Sequence, residues 1–168
     1  MFGDDHNGVY LAAPRRTGKT TFLRHDLKPD LETDGVVVVY VDLWADTNRD
    51  PADLIEHAIM AVMAEHRSQI KTLAEPIGLQ RVSLAGWVAF EVDGATPAKD
   101  KQLTITEALR LLSDARQAPV CLIVDEAQQA LTSDEGEALM AALKSARDQL
   151  NGPDRTRLML VMSGSDRN

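Results

Sequence analysis

Four short apolar runs punctuate the chain: Val9-Tyr10-Leu11-Ala12, Val36 to Val41, Val120 to Val124 and Leu158 to Met162. Continuous runs, as opposed to strict alternation, are what strands buried on both faces of a parallel sheet require. Four buried strands are therefore expected. The last follows the turn-rich Asn151-Gly152-Pro153-Asp154 and ends at Ser163-Gly164-Ser165. Between the runs the apolar period becomes helical. Asp50 is placed to cap a helix with Pro51 at its first position, and Ile55, Ala58, Ile59 and Val62 form one stripe. Thr104 and Glu107 have capping-box spacing ahead of Ile105, Ala108, Leu109, Leu112 and Ala115. Thr132 and Glu135 repeat that spacing before Leu139, Ala142, Leu143, Ala146 and Leu150.

Alternating strands and helices predict a three-layer α/β domain, a mostly parallel sheet with helices on both faces. From Arg81 to Val92 the rhythm changes: Val82, Leu84, Val88, Phe90 and Val92 alternate around Gly86, which predicts an inserted β-hairpin. Asp93 to Lys101 reads as a loop. Nothing marks a domain boundary, so residues 1–168 are read as a single domain.

Composition narrows the class. With 44% hydrophobic and 26% charged residues the chain is an ordinary globular one, and a net charge of −8 excludes a surface that grips nucleic acid or anionic lipid all round. A local basic site survives that exclusion, and from Lys144 to Asn168 there is a mild basic bias that leaves a nucleic-acid partner open. One cysteine, Cys121, cannot form an internal disulfide and reads as a small core residue. With an acidic opening in place of a secretory signal, the chain is read as cytoplasmic. No apolar run approaches the ~20 residues of a membrane-spanning helix, so no membrane role is expected.

The strongest chemical signal is Ala13-Pro14-Arg15-Arg16-Thr17-Gly18-Lys19-Thr20, directly after the first strand and before a helical segment with Phe22 and Leu23. It fits the phosphate-binding P-loop, with alanine in place of the first glycine. A loop that wraps a triphosphate points consecutive backbone N–H groups inward, which requires an unhindered residue at Gly18. The helix that follows presents its positive end to the phosphates. Residues 13–20, with Thr21 beside them, are the expected nucleotide contacts. Lys19 supplies a mobile cation for the β and γ phosphates, and the Thr20 hydroxyl is preferred over Thr21 as a Mg²⁺ ligand.

A second element is the strand Val120 to Val124 ending in Asp125-Glu126, the form of a Walker B segment. Asp125 is placed to hold Mg²⁺, directly or through water, and Glu126 to orient and deprotonate an attacking water. Both roles call for carboxylates at a strand's C-terminal end, where open α/β sheets bind ligands. A third, weaker element is Ser163-Gly164-Ser165: one hydroxyl can meet the γ-phosphate or the water. Ser163 is favoured over Ser165 as nearer the strand end, and a plain turn is equally compatible. Asp42, closing the second strand, either approaches the site or caps the turn before Trp44. The charge is bipolar: Arg15, Arg16, Lys19, Arg24 and Lys28 surround the loop, whereas Asp125, Glu126, Asp134, Glu135 and Glu137 stand together without a base.

Residues 13 to 23, the Val-Tyr-Val-Asp strand at 39 to 42 and Leu-Ile-Val-Asp-Glu-Ala-Gln at 122 to 128 together resemble the AAA-like, additional-strand P-loop ATPases, within them the archaeal-type ATPase group also found in bacteria. The resemblance covers nearly the whole chain, including the inserted hairpin. It implies a P-loop sandwich in which the strand ending at Ser163, in the sensor 1 position, separates the P-loop strand from the Asp125 strand. It also implies ATP and Mg²⁺ as cofactors and a conformational change coupled to hydrolysis. Ala13 departs from the family's usual glycine. Such ATPases normally continue past this point with a fifth strand, a helical lid and often an arginine that reaches a neighbouring subunit, so the chain is expected to be a core cut after its sensor strand, without the lid.

Arginine candidates for phosphate or neighbour contact are Arg15, Arg16, Arg147, Arg155, Arg157 and Arg167. The four histidines lack the spacing of a zinc site, His57 and His66 being expected on one helix's polar or boundary face. No Gly-x-Ser-x-Gly elbow and no guanine-selecting motif occurs, which favours ATP chemistry over a serine hydrolase or a GTPase. The expected function is Mg-dependent ATP hydrolysis coupled to conformational change, with catalysis by Glu126, Lys19 and Ser163. The alternative is a nucleotide-dependent switch with slow turnover whose output is self-association or contact with another domain or protein; a small-molecule kinase is the weakest option.

Overall fold

The computed structural model describes residues 8–14, 16–74, 76, 81–84, 86–91 and 100–165. In chain order the elements are β1 (Gly8–Ala12), α1 (Lys19–Phe22), a π-helical turn (Leu23–Leu27), α2 (Lys28–Thr33), β2 (Val37–Asp42), α3 (Pro51–Glu65) and α4 (Arg67–Ala74). There follow β3 (Arg81–Leu84), β4 (Trp87–Glu91), β5 (Asp100–Leu103), α5 (Ile105–Arg116), β6 (Val120–Asp125), a 3₁₀ helix (Ala127–Thr132), α6 (Asp134–Leu150) and β7 (Leu158–Gly164).

The four apolar runs form one parallel sheet in the order β1-β7-β6-β2. Its two faces bury separate clusters. Val37, Val39 and Val41 with Val120, Leu122 and Val124 pack against α3, α5 and α6, whereas Val38, Cys121, Ile123 and Val161 pack against Leu23 and Leu31. This is the three-layer arrangement that unbroken apolar runs predict. Side chains such as Leu122 and Ile123 are fully enclosed, each worth roughly 1.5–3 kcal/mol of apolar transfer. Cys121 lies buried among them, and that burial pushes its thiol up to about 12.

The structure corrects several expectations. Strand β1 is not buried: it has a single partner, β7, and at that edge Val9 is 41% and Tyr10 60% exposed. The hairpin is present, β3 against β4 with Gly86 at a φ of 83°. Val92 lies outside the described residues. Part of the expected loop is a strand, because β5 runs parallel to β3 and completes a second sheet in the order β4-β3-β5. Asp-Lys-Gln-Leu shows no strand periodicity of its own, so only pairing reveals it. Residues 93–99 also lie outside the described set.

At the helix starts, Asp50 caps α3 and Thr104 with Glu107 forms a reciprocal capping box on α5. For α6 the cap is Ser133, whose hydroxyl accepts from the Gly136 N–H; Thr132 instead donates to the Gln129 carbonyl and closes the preceding 3₁₀ helix. A Cβ on Gly136 would meet the Ala130 carbonyl oxygen at 2.2 Å, so that helix turn and α6 are seated without space between them. His57 is exposed within α3, and His66, half-buried, is its C-cap. Among the described residues no helix is long and apolar enough to cross a membrane.

Candidate nucleotide site

Parallel register brings the polar strand ends to one edge. Asp42 pairs with Asp125, Leu11 with Ser163 and Ala12 with Gly164, so the loop leaving β1 emerges beside the acids. Its Ala13 N–H donates to the Gly164 carbonyl at 3.5 Å. Arg16 (φ 64°) and Gly18 (φ 84°) both lie in the left-handed region, and Gly18 begins α1 with no side-chain cap. Glycine meets this demand without steric cost, and the helix's first N–H donors are left facing the loop. A cavity of about 320 Å³ is lined by residues 16–21 and Glu126. Arg15 lies outside the described residues.

Within the loop, the Lys19 ammonium donates to the Ala13 and Pro14 carbonyls at 2.7 and 3.0 Å, and the Thr17 hydroxyl donates to the Pro14 carbonyl at 2.9 Å. The lysine thus spans the concavity from α1 to the end of β1. From the cavity lining, Thr20 Oγ1 donates to the buried Asp125 Oδ2 at 2.7 Å, joining residues 105 apart in sequence. Thr21 lines the cavity as well, but Thr20 makes the bond to Asp125.

Asp125 is fully enclosed and is the acceptor for four donors: Thr20, Tyr40 Oη at 3.0 Å, Ser163 Oγ and the Glu126 N–H at 3.0 Å. Burial pushes its carboxyl up, but the hydrogen bonds from Ser163, Thr20, Tyr40 and Glu126 outweigh that and hold it below the usual carboxylate range. Burial, then the Asp125 charge, raises the Tyr40 phenol, so it stays a donor. The Arg24 guanidinium stacks 5.0 Å from the Tyr40 ring centroid.

Glu126 adopts a left-handed φ of 54°. Its Oε2 accepts from Gln128 Nε2 and, at 2.9 Å, from Ser165 Oγ. The two serines therefore divide the acids: Ser163, the favoured position for a contact with phosphate or water, is committed to Asp125, and Ser165 stands beside Glu126. Asp42 takes the turn role, accepting from the Trp44 N–H at 2.9 Å.

Of the arginine candidates, Arg16 alone lines the cavity among the described residues. Arg157 and Arg155 pair with Asp114 at 2.8 and 3.7 Å, next to the start of β7 and so at the strand end opposite Ser163; Arg147 pairs with Asp148. Arg167 lies outside the described residues. Tyr40 and Gln128 are site residues that sequence reasoning missed. Their signals were a phenol inside an aliphatic strand and an amide two residues beyond Glu126.

The AAA domain family profile matches residues 4–167. The chain belongs to the AAA domain family. Among solved structures, this AAA domain is similar to the Walker-type ATPase of Pyrococcus abyssi, with 19% identity and a TM-score of 0.51, over 95% of this chain and 41% of that one. It thus spans less than half the length of that ATPase. Weaker likenesses are to the Orc1 protein of Aeropyrum pernix in complex with DNA (16% identity, TM-score 0.43, 95% of this chain and 33% of that one) and to a KaiC-like protein of Pyrococcus horikoshii (18%, 0.40, 95% and 62%). No curated protein matches the chain. The AAA-like P-loop ATPase fold expected from the residues is present, with the β7 strand between β1 and β6.

Proposed function

We propose that this AAA domain binds Mg·ATP in the cavity between residues 16–21 and Glu126 and hydrolyses it. The observation that carries the reading is the Thr20–Asp125 contact, which sets a hydroxyl and a carboxylate side by side where α1 begins. Such hard oxygen donors fit Mg²⁺, which is held by one or two protein groups together with substrate phosphates. Bound there, Mg²⁺ would neutralise charge on the β and γ phosphate oxygens. Residues 16–18 and the start of α1 offer backbone N–H groups to the phosphates, Lys19 exchanges its carbonyl partners for phosphate oxygens, and Glu126 orients water and takes its proton. Ser165 and Gln128 hold the Glu126 carboxylate, and Ser163 holds Asp125.

The test is a pair of variants measured for nucleotide binding and for turnover. Lys19→Ala is expected to lose nucleotide by at least about 100-fold in affinity. Glu126→Gln is expected to keep nucleotide and lose about 10²–10⁴ in turnover. Equal nucleotide binding by Lys19→Ala and the unaltered chain would sink the assignment. The hold on Glu126 supports a second reading, a nucleotide-dependent switch with slow turnover. Under that reading, Gln128→Ala speeds hydrolysis by releasing the carboxylate; under the first it slows it.

A further inference from the structure

Away from the nucleotide cavity, the first turns of α3, α5 and α6 converge on the ends of β3 and β5 around an open groove of about 850 Å³. Its floor is apolar: Leu84, Leu103, Ile105 and Leu139 are each less than 9% exposed. Ala138 and Ala142 of α6 form the wall, and their small side chains leave the space unfilled. The rim is acidic, with the cap Asp50 and Asp53 and Glu56 on α3 facing Glu135 on α6, and among the described residues no lining residue is Lys, Arg or His. Burial and then the neighbouring Asp53 and Asp50 raise the Glu56 carboxyl, the mark of crowded acids. Three helix N-termini contribute about half a positive charge each, which does not cancel four carboxylates.

We propose that this groove docks an amphipathic helix of a partner protein, its apolar stripe on the floor and Lys or Arg side chains on the rim. Charge complementarity selects the occupant. DNA, RNA and anionic lipid are repelled by the rim, and a simple cation gains nothing from the leucine floor. A helix with basic residues flanking an apolar stripe satisfies both surfaces at once. The occupied wall is tied to the nucleotide site, since the chain runs from Glu126 through the 3₁₀ helix Ala127–Thr132 directly into α6. That connection goes beyond nucleotide hydrolysis and does not depend on it.

The probe is a labelled synthetic helix of about four turns with a leucine stripe and lysine flanks, titrated by fluorescence anisotropy and by backbone amide shifts. Controls are the same peptide with glutamate flanks and with the leucines replaced by serine. Binding is expected for the leucine/lysine peptide, with amide shifts confined to the starts of α3 and α6 and to β5. A loss of at least about tenfold is expected in the Asp53→Lys/Glu56→Lys double variant and in Ala138→Phe, which fills the groove. Asp53 and Ala138 are exposed and Glu56 is half-buried, and retained nucleotide binding checks the folding of both variants. Equal binding to either variant, equal binding of the serine or glutamate peptide, shifts elsewhere, or no binding would overturn the proposal. So would a concentration-dependent dimer abolished by Ala138→Phe, which would assign the groove to a second copy of the chain. Binding of a DNA oligonucleotide there would overturn it equally.

Discussion

On the phosphate side of the site, the described residues 13, 14 and 16–18 are tied back by a long backbone contact from Ala13, by the Phe22 N–H to the Gly18 carbonyl, by the Thr17 hydroxyl and by the Lys19 ammonium, and β1 behind them is an exposed edge. On the acid side, Asp125 is wholly buried on a central strand with three donors from three separate segments and a fourth from the adjoining Glu126 N–H. The difference is one of division of labour. The acids are preorganised by tertiary hydrogen bonds that exist without a ligand, whereas the loop offers N–H groups and a lysine whose better partners are phosphate oxygens. A site built this way keeps the geometry of its acids while the loop changes partners.

Variants can break or sharpen that contrast. The largest expected separation is at Lys19: the Lys19→Ala change expected to remove nucleotide binding is expected to leave unfolding stability within about 0.5 kcal/mol, because it deletes contacts to two loop carbonyls only, one exposed and one part-buried. Urea denaturation checks this, and a larger loss would mean that the loop also supports the fold. Ser163→Ala is expected to do the reverse, costing about 1–3 kcal/mol of stability by taking a donor from a buried carboxylate. For a chain of this size that is roughly 2–4 °C per kcal/mol in a thermal melt. Ser163→Ala with an unchanged melt would show that the acid side is no more constrained than the loop.

Behind the acids, Ser133→Ala is expected to cost about 1 kcal/mol as a lost N-cap, and Thr132→Ala distinctly less. Equal losses would return the cap to Thr132. The smallest effect is at Glu107, remote from both halves. The Thr104 backbone N–H and then the Lys101 ammonium hold its carboxyl at about 2, below its ordinary 4.5. A depressed carboxyl stabilises above its unfolded value, and that contribution fades as pH falls from 4.5 toward 2. Because this side chain is 39% exposed, the gain is only about a few tenths of a kcal/mol. Denaturation midpoints of Glu107→Gln and the unaltered chain are expected to differ near neutral pH and to converge in acid.

The four main strands, the capped helices α3 and α5 and the pairing of a phosphate loop with Asp125-Glu126 were legible in the sequence because each is a local pattern with its own physical cause. Burial on two faces leaves an unbroken apolar run, a helix start needs a cap, and a phosphate cradle needs Gly18 where φ is positive. What remained illegible depends on neighbours. β5 exists because β3 offers it a free edge. β1 is exposed despite its apolar residues, whereas β2, an edge strand with one partner as well, is buried because helices cover both its faces. The choice of Ser133 over Thr132 was settled by the 3₁₀ helix packed against Gly136, whose carbonyls took Thr132 for themselves.

The same division runs through the site. Residue types and their order along the chain determined that this protein would carry a phosphate loop and two strand-end acids. Only tertiary structure decided which hydroxyl meets which carboxylate: Ser163 and Tyr40 converge on Asp125, Ser165 and Gln128 on Glu126. The reason is reach. A hydrogen bond needs a donor and an acceptor within about 3 Å, and for Ser163, Tyr40 and Ser165 that closeness comes from the register of strands far apart in sequence, which no local pattern encodes.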